Sequence, residues 1–75
     1  MIAVLAGSKK QYDDFLRPWL DYKDKDKFRY VPRVIGAIGV NFTDYIRIGT
    51  FYTNPEYLEI IEAIERRIEM NRRLN

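Results

Sequence analysis

The chain has 75 residues, 47% of them hydrophobic, with 13 basic and 11 acidic side chains for a net charge of +2. A domain this small buries only about 60% of its unfolded surface, and its core rarely supplies more than roughly 3–5 kcal/mol, so it depends on dense packing or on association. With no cysteine and no histidine, disulfides, thiolate zinc sites, cysteine nucleophiles and the commonest general base are excluded.

Residues 2–6 (IAVLA) form an unbroken apolar run that stops at Gly7. No positive segment precedes it and lysines follow, so a strand is expected rather than a leader. Apolarity on both faces suits a central parallel strand, which other layers cover on both sides. Ser8 and Gln11 have the spacing of a capping box, in which the hydroxyl accepts from the Gln11 N–H and the Gln11 amide returns to Ser8. Tyr12, Phe15, Leu16, Trp19 and Leu20 then share one helical face. Pro18 removes a donor and pushes Arg17 away from αR, which predicts a kinked helix running on through Trp19 and Leu20.

Residues 21–27 (DYKDKDK) read as a solvated connection. They lack the central glycine and distal glutamate of a calcium loop, so no metal site is expected there. Residues 28–31 (FRYV) alternate as a second strand that Pro32 ends. The apolar stretch 33–41, with Gly36 and Gly39, has room for one helical turn. Residues 44–49 (DYIRIG) read as a third strand, with Ile46 and Ile48 inward and Tyr45 and Arg47 on the other side. Asn54 as N-cap and Pro55 at the first helical position open the last helix. Its buried stripe is Tyr57, Ile61, Ile64 and Ile68, widened by Leu58 and Ile60. Glutamates precede arginines along it, complementing the helix dipole, and Glu62–Arg66 and Glu69–Arg73 are i,i+4 pairs worth ~0.3–0.5 kcal/mol each.

The order is β-α-β-(turn)-β-α, and a right-handed first connection makes strands one and two parallel. The all-apolar first strand belongs in the centre, the arginine-bearing strands at the edges. The expected fold is one α/β domain over residues 1–75. It has a small three-stranded, mainly parallel sheet of order 2-1-3 with two helices, a fragment of the Rossmann or flavodoxin-like plan.

In such sheets ligands bind beyond the carboxyl ends of the strands. That rim is Gly7, Ser8, Lys9, Gly49, Thr50, Phe51 and Tyr52, with the first five as the ligand-binding candidates, and the helix start at Ser8 is suited to a phosphate. Neither a Walker loop nor a G-x-G-x-x-G fingerprint is present, so no particular cofactor is implied. The Gly36–Gly39 spacing matches a KH-type loop, but its two central residues are apolar rather than basic. Arg66, Arg67, Arg72 and Arg73 are nucleic-acid candidates, although the glutamates among them suit a solvated helix face equally well. Arg29, Tyr45 and Arg47, with Phe51 and Tyr52 beyond, form an Arg/Tyr-rich set of the kind enriched at protein interfaces. No catalytic constellation stands out: Asp13 and Asp14 are expected to face solvent, and Ser8 has only Lys9 as a neighbouring base. No apolar run approaches the ~18 residues that span a bilayer, so no membrane partner is expected.

Three segments, Arg29-Tyr30-Val31, residues 45–52 and residues 54–61, resemble a loose group of small phage and prophage proteins with a β-α-β-β-α unit. Members commonly carry an Arg-Gly pair where this chain has Ile35-Gly36. The resemblance implies a phage or viral origin and assigns no activity. Three functional readings follow. The leading one is a non-enzymatic accessory protein that binds a host or viral protein, with homo-oligomerisation open and a cytoplasmic location. The second is a nucleotide- or phosphate-binding mini-Rossmann module, and the third a weak nucleic-acid binder.

Overall fold

Strand formation begins where the apolar run begins. In the computed structural model, which describes residues 1–21 and 26–74, strand β1 (Ile2–Leu5) has both faces covered, and Ala3 to Ala6 are at most 2% exposed. Strands β2 (Phe28–Tyr30) and β3 (Asp44–Arg47) flank it, both parallel to it, in the order β2-β1-β3. Val4 lies opposite Tyr30 on one side and Ile46 on the other. Val31 and Ile48, expected within the outer strands, lie just past their ends. Their amides still donate to Val4 (3.1 Å) and Leu5 (2.9 Å). Pro32 stops the chain after one, and Gly49, at φ +54°, turns it after the other.

Helix α1 (Lys9–Leu16) starts at Ser8, whose Oγ accepts from the Gln11 amide at 3.3 Å. Arg17 N donates to Asp13 O, and the chain then tightens into a 3-10 turn, Arg17–Trp19, because Pro18 has no N–H to extend the α-helix. The expected kinked continuation is thus a single tight turn. Its apolar face reaches Trp19, whose ring lies 5.6 Å from that of Phe28. Leu20, expected on that face, is 52% exposed. Tyr12 stacks on Tyr30 (5.2 Å) and Phe15 meets Phe28 edge-on (5.3 Å), which fixes α1 over one sheet face. The middle of the 21–27 connection, residues 22–25, lies outside the described residues, and with it the calcium-loop comparison.

Helix α2 (Tyr57–Leu74) covers the other face. Alternation along β1 sends Ala3 and Leu5 to this side, where they cluster with Val31, Ala37, Phe42, Ile60 and Ile64. Tyr45, paired with Ala3, packs against the same cluster. It was expected on the outward side of β3; the alternation holds, but a sheet covered by a helix on each face has two insides. On α2, Ile60 and Ile64 are fully buried while Leu58 is 65% exposed, because it sits roughly 100° around the helix from Tyr57. Helical bonding begins at Tyr57 rather than at Pro55. Asn54 Oδ1 accepts from the Glu56 amide (2.9 Å), and Tyr57 N donates to Asn54 O (3.1 Å), forming a lead-in turn.

Residues 33–43, the least patterned in the sequence, carry one 3-10 turn, Val34–Ala37. Beyond it Phe42, with no exposed surface, fills the space between sheet and α2.

Candidate functional site

Three arginine- or glycine-bearing regions and one surface groove are the candidate sites. At the carboxyl rim of the sheet, Gln11 sets the structure. Its side chain does not return to Ser8 as in a capping box. Instead Oε1 accepts from Gly7 N (2.8 Å) and Thr50 N (3.1 Å), while Nε2 donates to Thr50 Oγ1 (2.9 Å). The Gly7 and Thr50 amides are therefore held by a carbonyl oxygen of the chain itself. Gly7 and Gly49 are needed for this closeness. A Cβ on Gly7 would lie 2.7 Å from the Thr50 carbonyl, and one on Gly49 would meet the Gln11 amide. Lys9 pairs with Asp13 at 3.1 Å, so its amine is directed along the helix and not toward Ser8.

The Arg/Tyr set is divided by the sheet. Arg29 and Arg47 lie on opposite edges, with β1 between them. Arg47 sits 5.7 Å over the Phe51 ring, a cation–π arrangement. Phe51 in turn packs edge-on against Tyr52 and Tyr57, leaving Tyr52 60% exposed. The Tyr45 hydroxyl donates to Glu65 at 2.7 Å. That bond to a carboxylate, followed by partial burial, raises the phenol above its ordinary value of 10.0. Four of the five residues thus gather at the β3 end of the sheet, and Arg29 does not join them.

The C-terminal arginines are divided too. Arg66 pairs with Glu62 and Arg73 with Glu69 (3.4 Å) along the helix surface. Arg72 is exposed and borders a shallow polar depression with Asp44, Tyr45, Glu65 and Glu69. Arg67 is half-buried, and its Nε is buried without a hydrogen-bond partner.

The groove runs between α2 and residues 34–39. Its wall is tied to α2 at both ends. Near the helix start, Asn54 Nδ2 donates to Pro32 O (2.7 Å), and Glu56 accepts from Val34 N (3.2 Å) with Arg33 Nε 3.7 Å away. Near the other end, Asn71 Nδ2 donates to Asn41 Oδ1 (2.7 Å) and Phe42 O (3.3 Å). Between these ties Val34 and Ala37 pack on the core beneath α2, and a cleft of about 400 Å³ lies along the surface between wall and helix. Val34, Ala37, Ile38, Ala63 and Met70 give it an apolar floor, and Glu59, Glu62, Arg66 and Arg67 line the helix side. Ile38 and Met70 are 68% and 53% exposed, and Ile35 on the same turn is 74% exposed.

The sequence carried faint signs of this groove. Ile35 and Ile38 are apolar in a glycine-bearing stretch, and Met70 falls off the buried stripe of α2. None of them shows which residues the wall would bring together.

Among the described residues, no cluster of acidic side chains is arranged to hold a metal ion, and no helix is long and apolar enough to cross a membrane. Comparison with known proteins returns no family model, no curated protein and no solved structure that matches the chain.

Proposed function

We propose that the protein is a non-enzymatic interaction module, an accessory factor of phage origin acting in the host cytoplasm, and that the groove beside α2 docks another polypeptide. The observation that carries this reading is the pairing of exposed Ile38 and Met70 across a groove whose wall is hydrogen-bonded in place. Apolar side chains held out of a core this small forgo burial that the fold could use, and such patches characteristically mark interaction sites. The phage origin rests on the resemblance of Arg29-Tyr30-Val31 and residues 45–52 and 54–61 to small phage proteins.

A photo-crosslinking side chain in place of Ile38 tests the reading, used with the purified chain and with host lysate. Discrete polypeptide adducts are expected from position 38, with the attachment mapping to the groove. None is expected from the same group at Lys10, an exposed position on α1. Equal labelling at both positions, or no adduct at 38, overturns it.

A further inference from the structure

The groove has a direction. Along α2 its lining changes from Glu59 and Glu62 to Arg66 and Arg67, with Ala63 between them. Glu62 and Arg66 neutralise each other within the chain. Glu59 makes no ion pair among the described residues, and Arg67 Nε is buried with no acceptor. That N–H is enclosed within the chain and out of a docking partner's reach, but Arg67 makes no ion pair among the described residues and lines the groove. A uniformly acidic or basic partner would satisfy one half of this lining and repel the other.

We infer that the partner is a second copy of this chain, docked antiparallel along α2 about a two-fold axis at Ala63. This rests on the groove being a polypeptide-docking surface. A two-fold axis is self-complementary, so every contact occurs twice. With the axis at Ala63, the position four residues before it faces the position four residues after it. Glu59 of each copy then meets Arg67 of the other, and both groups lacking an ion partner are supplied at once. Ala63 is the smallest side chain on the groove side of α2, and small side chains at a crossing let two helices approach closely. The apolar edge made by Ile38 and Met70 flanks that crossing and is covered by the partner chain.

Light scattering on the purified chain is expected to give a concentration-dependent species of twice the 9.0 kDa chain mass. Glu59→Arg and Arg67→Glu each set like charges face to face at both symmetric positions, so each is expected to weaken dimerisation at least about tenfold. Mixing the two variants in equal amounts is the decisive arm. One chain then brings two arginines and the other two glutamates, so a heterodimer of native-like strength should form. The double variant E59R/R67E should recover the homodimer, and thermal melts should show each single variant folded. A chain that stays monomeric at millimolar concentration overturns the inference. So does a dimer indifferent to the reversals, or single variants that fail to rescue each other. A monomeric chain that still crosslinks a different protein from position 38 leaves the docking surface standing and removes only the second copy.

Discussion

The rim of the sheet and the groove beside α2 both lie where chain segments converge, yet they are finished in opposite ways. At the rim, Gln11 bonds the ends of β1 and β3 together and takes the Gly7 and Thr50 amides. In the groove, Asn54, Glu56 and Asn71 bond the two ends of the wall, Val34 and Ala37 pack on the core below, and a cleft stays along the surface above them. A small chain has few polar side chains to spare, and where they are placed decides which junction closes. The Gly7 and Thr50 amides of the rim are used internally; the groove retains exposed apolar surface and an Arg67 with no ion pair among the described residues.

The sharpest way to break this contrast is to remove what supports the groove from below. Phe42→Ala leaves a cavity between sheet and α2 and should cost about 3–5 kcal/mol, comparable with the stability of so small a domain. The variant is expected to be largely unfolded by circular dichroism at room temperature. Next comes the rim. Gly7→Ala drives a methyl into Thr50 and should lower stability by about 1–3 kcal/mol in urea titration. An unchanged midpoint would show that the rim is looser than its hydrogen bonds imply.

A smaller effect is expected from Gln11→Met, which keeps the length of the side chain and removes its polar atoms. Freeing the Gly7 and Thr50 amides should cost about 1–2 kcal/mol, less than for deeply buried groups because water can reach this site. If the native rim is sealed, inorganic phosphate should raise the melting temperature of the variant more than that of the native chain. Equal shifts would show that Gln11 does not exclude the anion. The smallest effect belongs to the groove itself. Ile38→Ser should change the stability of the monomer by no more than about 0.5 kcal/mol, since the side chain is 68% exposed. A larger loss at dilute concentration would mean that Ile38 belongs to the core and not to a surface kept for a partner.

Much of the framework was readable from residue pattern. The all-apolar 2–6 run specified a central strand, and the parallel order β2-β1-β3 follows from it and from the handedness of crossovers. Ser8 caps α1 as its residue type suggests. The errors share one cause, which is that local pattern carries direction but not what lies in that direction. Tyr45 alternates as expected and still packs inward, because α2 covers the face it points to. Leu20 and Leu58 extend apolar patterns into places where more than half of each residue stays exposed. Gln11 has the spacing of a capping box, but Thr50, 39 residues away, offers its amide group better partners.

By itself, then, the sequence determined the elements, their parallel order and the absence of cysteine and histidine chemistry, because these depend on periodicity, chain direction and composition. Only the tertiary structure decided which convergence of segments would close and which would stay open. That outcome turns on contacts between residues distant in the chain, Gln11 with Thr50, Asn54 with Pro32 and Asn71 with Asn41, and no local spacing encodes them. The same long-range placement brought Ile38 and Met70 to one groove and left Arg67 Nε without an acceptor.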